Sequence, residues 1–200
     1  EKLLTEVGVV EMHPACAQLP TITPVGMASL LPNAHASLTL DIEQGKLVPK
    51  LGDTVVSNVT QRMNVLKQQF GDRFVEMTLR DFVKARKPKL APTVDLLVLR
   101  STEIDSQLEN NPEDTLGLVS KTLKQIRVAL SKLGKLGFQE AVIVSDHGFF
   151  LNAQAGAGDV CQKPVGHWSY TAHDRMMFGD GSGDAHNLVF SPDKLGIRSN

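Results

Sequence analysis

Cysteine is almost missing from this chain. Cys16 and Cys161 are the only two in 200 residues. They are far apart and neither has a nearby second thiol, which excludes a disulfide framework and a zinc knuckle built on paired cysteines. Buried or incidental thiols in a reducing cytoplasm are expected. An excess of one charge sign is missing too, since 21 basic and 22 acidic residues leave a formal charge of −1. Capture of nucleic acid by bulk electrostatics is therefore not implied. The one short basic cluster, Lys84-Ala85-Arg86-Lys87-Pro88-Lys89, reads either as a solvated turn or as a contact point for a polyanion. No apolar run approaches the roughly 18 residues that span a bilayer, and the opening EKLLTEVGVV lacks the basic-then-apolar layout of a signal peptide, so no membrane partner is expected. There is no internal repeat. A hydrophobic content of 42% is enough for one core, and a single domain over residues 1–200 is expected. The chain begins with Glu1 rather than Met, as a fragment cut from a longer protein would.

What is present alternates between strand and helix signals. Lys2 to Val9 reads as the end of a helix. In QLPTITPVGMASLLP, Gln18 to Pro32, Pro24 suits the first position of a helix and Thr23 suits its cap. Leu38 to Asp41 and Lys46 to Pro49 form a small hairpin around the turn Glu43-Gln44-Gly45. Val56, Val59, Met63, Leu66 and Phe70 step by three and four, one apolar stripe on a helix that stops at Gly71. Phe74 to Met77 is a short strand candidate. Asp95 to Arg100 and Ala141 to Ser145 are compact apolar runs of the kind buried on both sheet faces. Between them Leu116, Val119, Leu123, Ile126, Leu130 and Leu133 mark a long helix that starts near Asn111-Pro112-Glu113-Asp114 and stops at Gly134 or Gly137. Strand, helix, strand with tight connections is a βαβ unit, so the expected fold is α/β with a mainly parallel central sheet, helices on both faces, and the hairpin as an excursion. Asn152 to Pro164 is a long loop by composition, and Arg175 to Phe178 and Asn187 to Phe190 are strand candidates around a Gly- and Asp-rich turn.

Ligands of open parallel sheets bind beyond the carboxyl ends of the strands. Glu103, Asp105 and Glu109 follow the first buried run, in RSTEIDSQLE, and Asp146 and His147 follow the second, in VIVSDHGFF. Carboxylates with an imidazole form the ligand set of zinc, manganese or magnesium. Each of these acids also has an ordinary use, as a turn or cap residue or on a solvated face. His147 is less easily explained that way, because a strand running directly into Asp-His-Gly sets two ligand types on one rigid edge. His13, His35, His167, His173 and His186 fall in loops or near turns.

PTITPVGMASLLP, VLRSTEIDSQLE and VIVSDHGF, in that order, together with the closing RMMFGDGSGDAHNLVFSPDKLGI, resemble the PglZ domain of the alkaline phosphatase superfamily across nearly the whole chain. The resemblance implies an alkaline-phosphatase-like fold and a metal-dependent phosphohydrolase or phosphodiesterase. It also implies a cytoplasmic bacterial or archaeal setting with protein partners in phage defence or signalling. In the related phosphodiesterases the second threonine of Pro-Thr-x-Thr is the nucleophile, and that position is Thr23. Asp146 and His147 correspond to the pair that binds the same ion as the nucleophile. Asp105 and Glu109 correspond to an Asp-x-x-x-His element for the second ion, with a carboxylate in place of the imidazole.

The chemistry is coherent. A threonine hydroxyl is a weak nucleophile until a cation lowers its pKa. Two divalent ions about 4 Å apart activate the oxygen and neutralise the charge on a phosphate ester, whether nucleotide or nucleic acid. Glu109 in place of histidine favours manganese or magnesium over zinc. Attack by Thr23, a phosphothreonine and its hydrolysis are the expected course. Two departures stand against it, because the superfamily's first metal-binding Asp, upstream of the threonine, and its last His, in a later His-Gly-Gly type element, have no counterpart here. Both ends therefore read as truncated, with His167, His173 or His186 as stand-ins for the last ligand. The alternative reading is a non-catalytic recognition or assembly module that keeps the fold and a residual metal site.

Overall fold

The computed structural model describes residues 8–105, 115–148, 161–172 and 176–195. The chain forms two compact units, one made of Glu1–Pro14 and Leu66–Ile143, the other of Ala15–Val65 and Val144–Asn200. It is a mixed α/β protein whose described strands form three small sheets.

The second unit begins with α1 (Thr23–Ser29) and α2 (Ala34–Ser37), followed by an antiparallel sheet of β1 (Leu38–Glu43), β2 (Lys46–Leu51) and β3 (Thr54–Val55). The expected hairpin is present, with Glu43 opposite Lys46. Only Gln44 and Gly45 lie between them, at φ 51° and 72°. Two successive left-handed residues make the tight turn whose twist matches paired strands, and glycine adopts that conformation without steric cost. Lys50 reaches Asp41 at 2.7 Å and Glu43 at 2.8 Å, and its hydrogen bonds to these carboxylates, Asp41 first, hold its pKa above the ordinary lysine range. A second hairpin pairs β6 (Gly166–Ala172) with β7 (Met176–Gly181). Ile22 and Val25 of the α1 segment meet Leu40 and Leu47 of the first hairpin in a buried cluster, against which Tyr170, Met176 and Phe178 of the second also pack. This core fixes α1, and with it Thr23.

The helix α3 (Val59–Phe70) opens on a reciprocal cap, in which Gln61 N–H donates to Asn58 Oδ1 at 3.0 Å and Asn58 N–H to Gln61 Oε1 at 3.1 Å. Such a pair satisfies two N–H groups that the helix itself leaves without acceptors. The helix ends at Gly71, whose φ is 56°.

In the first unit, β4 (Phe74–Thr78) runs parallel to β5 (Leu96–Arg100), with α4 (Leu79–Lys84) in the connection between them. The Thr78 hydroxyl accepts from Asp81 N–H at 3.0 Å and so caps α4. The long α5 (Thr115–Lys135) packs on α4 through Leu79, Phe82 and Ala129, with Ile126 and Leu133 alongside. Its end has the expected glycine at Gly137, φ 93°, where Phe138 N–H bonds the Leu133 carbonyl and Gly137 N–H the Gly134 carbonyl, both at 3.1 Å. This double bond pattern closes a helix through a left-handed residue.

Among the described residues β4–β5 is the only parallel pair, two strands where a mainly parallel central sheet was expected. Two sequence expectations are corrected. The run 141–145 is no strand, since Val142, Ile143 and Val144 are 75%, 53% and 60% exposed. An apolar run bounded by turn signals supplies side chains for a sheet but not the neighbour that must pair its backbone. Residues 187–190 are likewise irregular, with Leu188, Val189 and Phe190 exposed. Cys16 and Cys161 are exposed free thiols. Most of the helix end expected over Lys2 to Val9 and most of the loop from Asn152 lie outside the described residues.

Candidate active site

The chain turns helical one residue earlier than a capping Thr23 would require. Ile22, extended at φ −122° and ψ 148°, is the cap residue, and its carbonyl accepts from Val25 N–H at 3.1 Å and Gly26 N–H at 2.9 Å. Thr23 is then the first helical residue and makes no capping bond, while Pro24 follows where a missing N–H leaves nothing unpaired. Released from capping, the Thr23 hydroxyl Oγ1 lies 3.4 Å from Nε2 of His147.

The same Nε2 is 3.4 Å from Oδ2 of Asp146, and the His147 and Asp146 side chains are only 12% and 13% exposed. The other ring nitrogen settles what Nε2 can offer. His147 Nδ1 is 3.0 Å from the carbonyl of Gly148, an acceptor, which assigns the ring proton to Nδ1; in that tautomer Nε2 presents a bare lone pair. Two acceptors, Nε2 and Asp146 Oδ2, thus face each other beside a hydroxyl. A proton or a cation resolves that arrangement. Ligands bonded at about 2.0–2.1 Å around a tetrahedral ion stand roughly 3.3–3.4 Å from one another, so the spacing, together with the oxygen and nitrogen donor types, fits a divalent cation.

Two supporting residues were not foreseen. Gly26 lies three residues after Thr23 on the same helix face, and a Cβ built on it would stand 2.4 Å from the backbone oxygen of Asp146. Only glycine lets α1 approach the 145–148 segment this closely. Ser145 Oγ donates to the His147 carbonyl at 2.6 Å, which fixes the turn. A glycine one turn after a candidate nucleophile was the legible signal for the first. The second follows from loop geometry and had none.

The remaining candidates are distributed as follows. Asp105 is half-buried in a helical turn over 103–105 of the first unit, and Glu103 lies in the same turn. Glu109 and His173 lie outside the described residues. His13, His35, His167 and His186 are exposed. Among the described residues no group of three or more His, Cys, Asp or Glu side chains is positioned to hold a metal ion.

Over residues 2–200 the chain matches the family model described as the BREX system PglZ alkaline phosphatase-like domain. The class is therefore that of the alkaline phosphatase-like α/β domains, whose superfamily generally uses divalent metals. The chain belongs to the PglZ family, which carries a phosphoesterase-like, phage-defence context. Neither a curated protein nor a solved structure matches it. No helix among the described residues is long and apolar enough to cross a membrane.

Proposed function

We propose that this chain is a phosphoesterase domain in which Thr23 attacks the phosphorus of a phosphate ester, with Asp146 and His147 holding a divalent cation beside it. The observation that carries the reading is the convergence of hydroxyl, imidazole and carboxylate at 3.4 Å spacings. When bound, the cation would lower the pKa of the hydroxyl and offset charge on the phosphoryl oxygens. The residues do the rest. The Nδ1–H bond to Gly148 keeps the His147 lone pair turned inward, the α1 core holds the Thr23 oxygen in place, and the low exposure of both ligands limits competing water. A phosphothreonine then forms at Thr23 with departure of the ester alcohol, and its hydrolysis returns the hydroxyl. Asp105 and Glu109 are assigned a second ion, and manganese or magnesium is favoured by the carboxylate-rich set. In this reading residues 1–200 belong to a single domain in which β4–β5 is one pair of a larger parallel sheet. The setting is cytoplasmic, with protein partners from the defence system and a nucleotide or nucleic acid as the ester.

The test is hydrolysis of bis-p-nitrophenyl phosphate and p-nitrophenyl phosphate with manganese, magnesium or zinc. Thr23→Ala is expected to lower the rate by more than about a thousand-fold, because a nucleophile acts as one unit with its partners. Mass spectrometry of the quenched wild-type reaction should find phosphate on Thr23. A second reading, a recognition module with a residual metal site, is favoured by the missing three-ligand group among the described residues. It gains if no ester is cleaved while manganese binding still depends on Asp146 and His147. Loss of neither property in the variants would sink both.

A further inference from the structure

The first unit contains a cavity of about 470 Å³ bordered by α4, α5 and the residues just after β5, and its lining includes Arg80, Lys84, Thr102, Glu103, Lys121 and Gln125. Arg80 and Lys84 are four apart on α4, and Lys121 and Gln125 four apart on α5, so each helix turns one polar face to the same space. Three cations against one carboxylate leave a local surplus of two positive charges. No ion pair among the described residues involves Arg80, Lys84 or Lys121. The basic run that continues from Lys84 through Lys89 adds to the local positive potential. Half-buried Gln125 also lines the cavity, and its Oε1 is buried without a hydrogen-bond partner. A buried acceptor without a donor carries a desolvation cost, which rotation of the amide toward a ligand hydroxyl or amine in the cavity would relieve.

We infer that this cavity binds a small phosphate monoester with hydrogen-bond donors on its body, of about mononucleotide size. Arg80, Lys84 and Lys121 take the dianionic phosphate, and Gln125 takes a donor from the sugar or base. The volume lies within the roughly 300–1,000 Å³ of small-molecule sites. Glu103 opposes the phosphate and sets the affinity below what the cations alone would give. The inference goes beyond the proposed reaction and uses none of its residues.

The experiment is calorimetric titration of the chain with adenosine 5′-monophosphate and, separately, inorganic phosphate, in EDTA so that bound metal plays no part. Both should bind saturably, the nucleotide more tightly. Lys84→Gln and Lys121→Gln should each weaken both by about ten-fold, the scale of a charge-assisted hydrogen bond. Glu103→Gln should tighten both, Gln125→Leu should weaken the nucleotide alone, and Thr23→Ala should change neither. Unchanged thermal melts confirm that the variants fold. Absence of saturable binding, indifference to the lysine substitutions, or loss of binding in Thr23→Ala overturns the proposal. So does an oligonucleotide that binds through the same lysines more tightly than the mononucleotide, which would mark a surface tracking a nucleic-acid backbone.

Discussion

The missing side chain of Gly26 decides how close α1, which carries Thr23, comes to the Asp146 backbone. Its built Cβ meets main-chain atoms, 2.4 Å from the Asp146 oxygen and 2.9 Å from its carbonyl carbon, and main chain cannot swing aside as a lysine tip would. Gly26→Ala should therefore cost about 1–3 kcal/mol in overpacking, offset by up to about 1 kcal/mol of helix propensity. A lower melting temperature and weaker manganese binding are expected together; a stabilised, fully metal-competent variant would refute the close-approach argument. Thr23 was singled out through the family motif, and Asp146 and His147 also by their place after an apolar run; the structure brings the three side chains together, and their roles are proposals. The cap assigned to Thr23 was misread by one residue, since only the carbonyl of Ile22 decides where the helical bonds begin. Glu109, a candidate by its place after the first buried run and through the resemblance, lies outside the described residues.

Among the elements, those with strong local signals were foreseen: the first hairpin, α3, α5 with its glycine stop, and β4. Two were missed despite a local signal. In β6, Trp168 and Tyr170 are half-buried while His167, Ser169 and Thr171 are exposed, the alternation of a one-sided strand. In α4, Thr78 and Asp81 form the cap pair. The clasp between α4 and α5 had no local signal at all. Lys132 on α5 donates to the carbonyls of Phe82, Val83 and Ala85, the last at 2.8 Å, and so satisfies the open end of a helix about fifty residues away in sequence. Cations at a helix C-terminus complement its dipole. Lys132→Met keeps the aliphatic stem but removes the donors, and should destabilise by about 1–2 kcal/mol in denaturant unfolding. A change below about 0.5 kcal/mol would show that water replaces the ammonium at no cost.

At the scale of the whole molecule the strand over 141–145 is what sequence reading overstated. A buried strand and an exposed apolar run share one composition, and only the pairing partner, remote in sequence, distinguishes them. Amide hydrogen exchange separates the two readings. Residues 142–144 should exchange close to the unprotected rate, while Leu97 and Leu99, which pair with Val75 and Met77 in the β4–β5 ladder, should be slowed by orders of magnitude. Strong protection at 142–144 would restore the strand. The division into two units has a practical corollary through β6. Trp168 packs its ring over Gly181 and donates from Nε1 to the Pro164 carbonyl at 2.9 Å, and Tyr170 sits two residues on. These are the chain's single tryptophan and single tyrosine, so its intrinsic fluorescence is a label already installed in the unit that holds Thr23, Asp146 and His147. Backbone circular dichroism senses both units, and the difference between the two signals isolates the one that emits no light of its own.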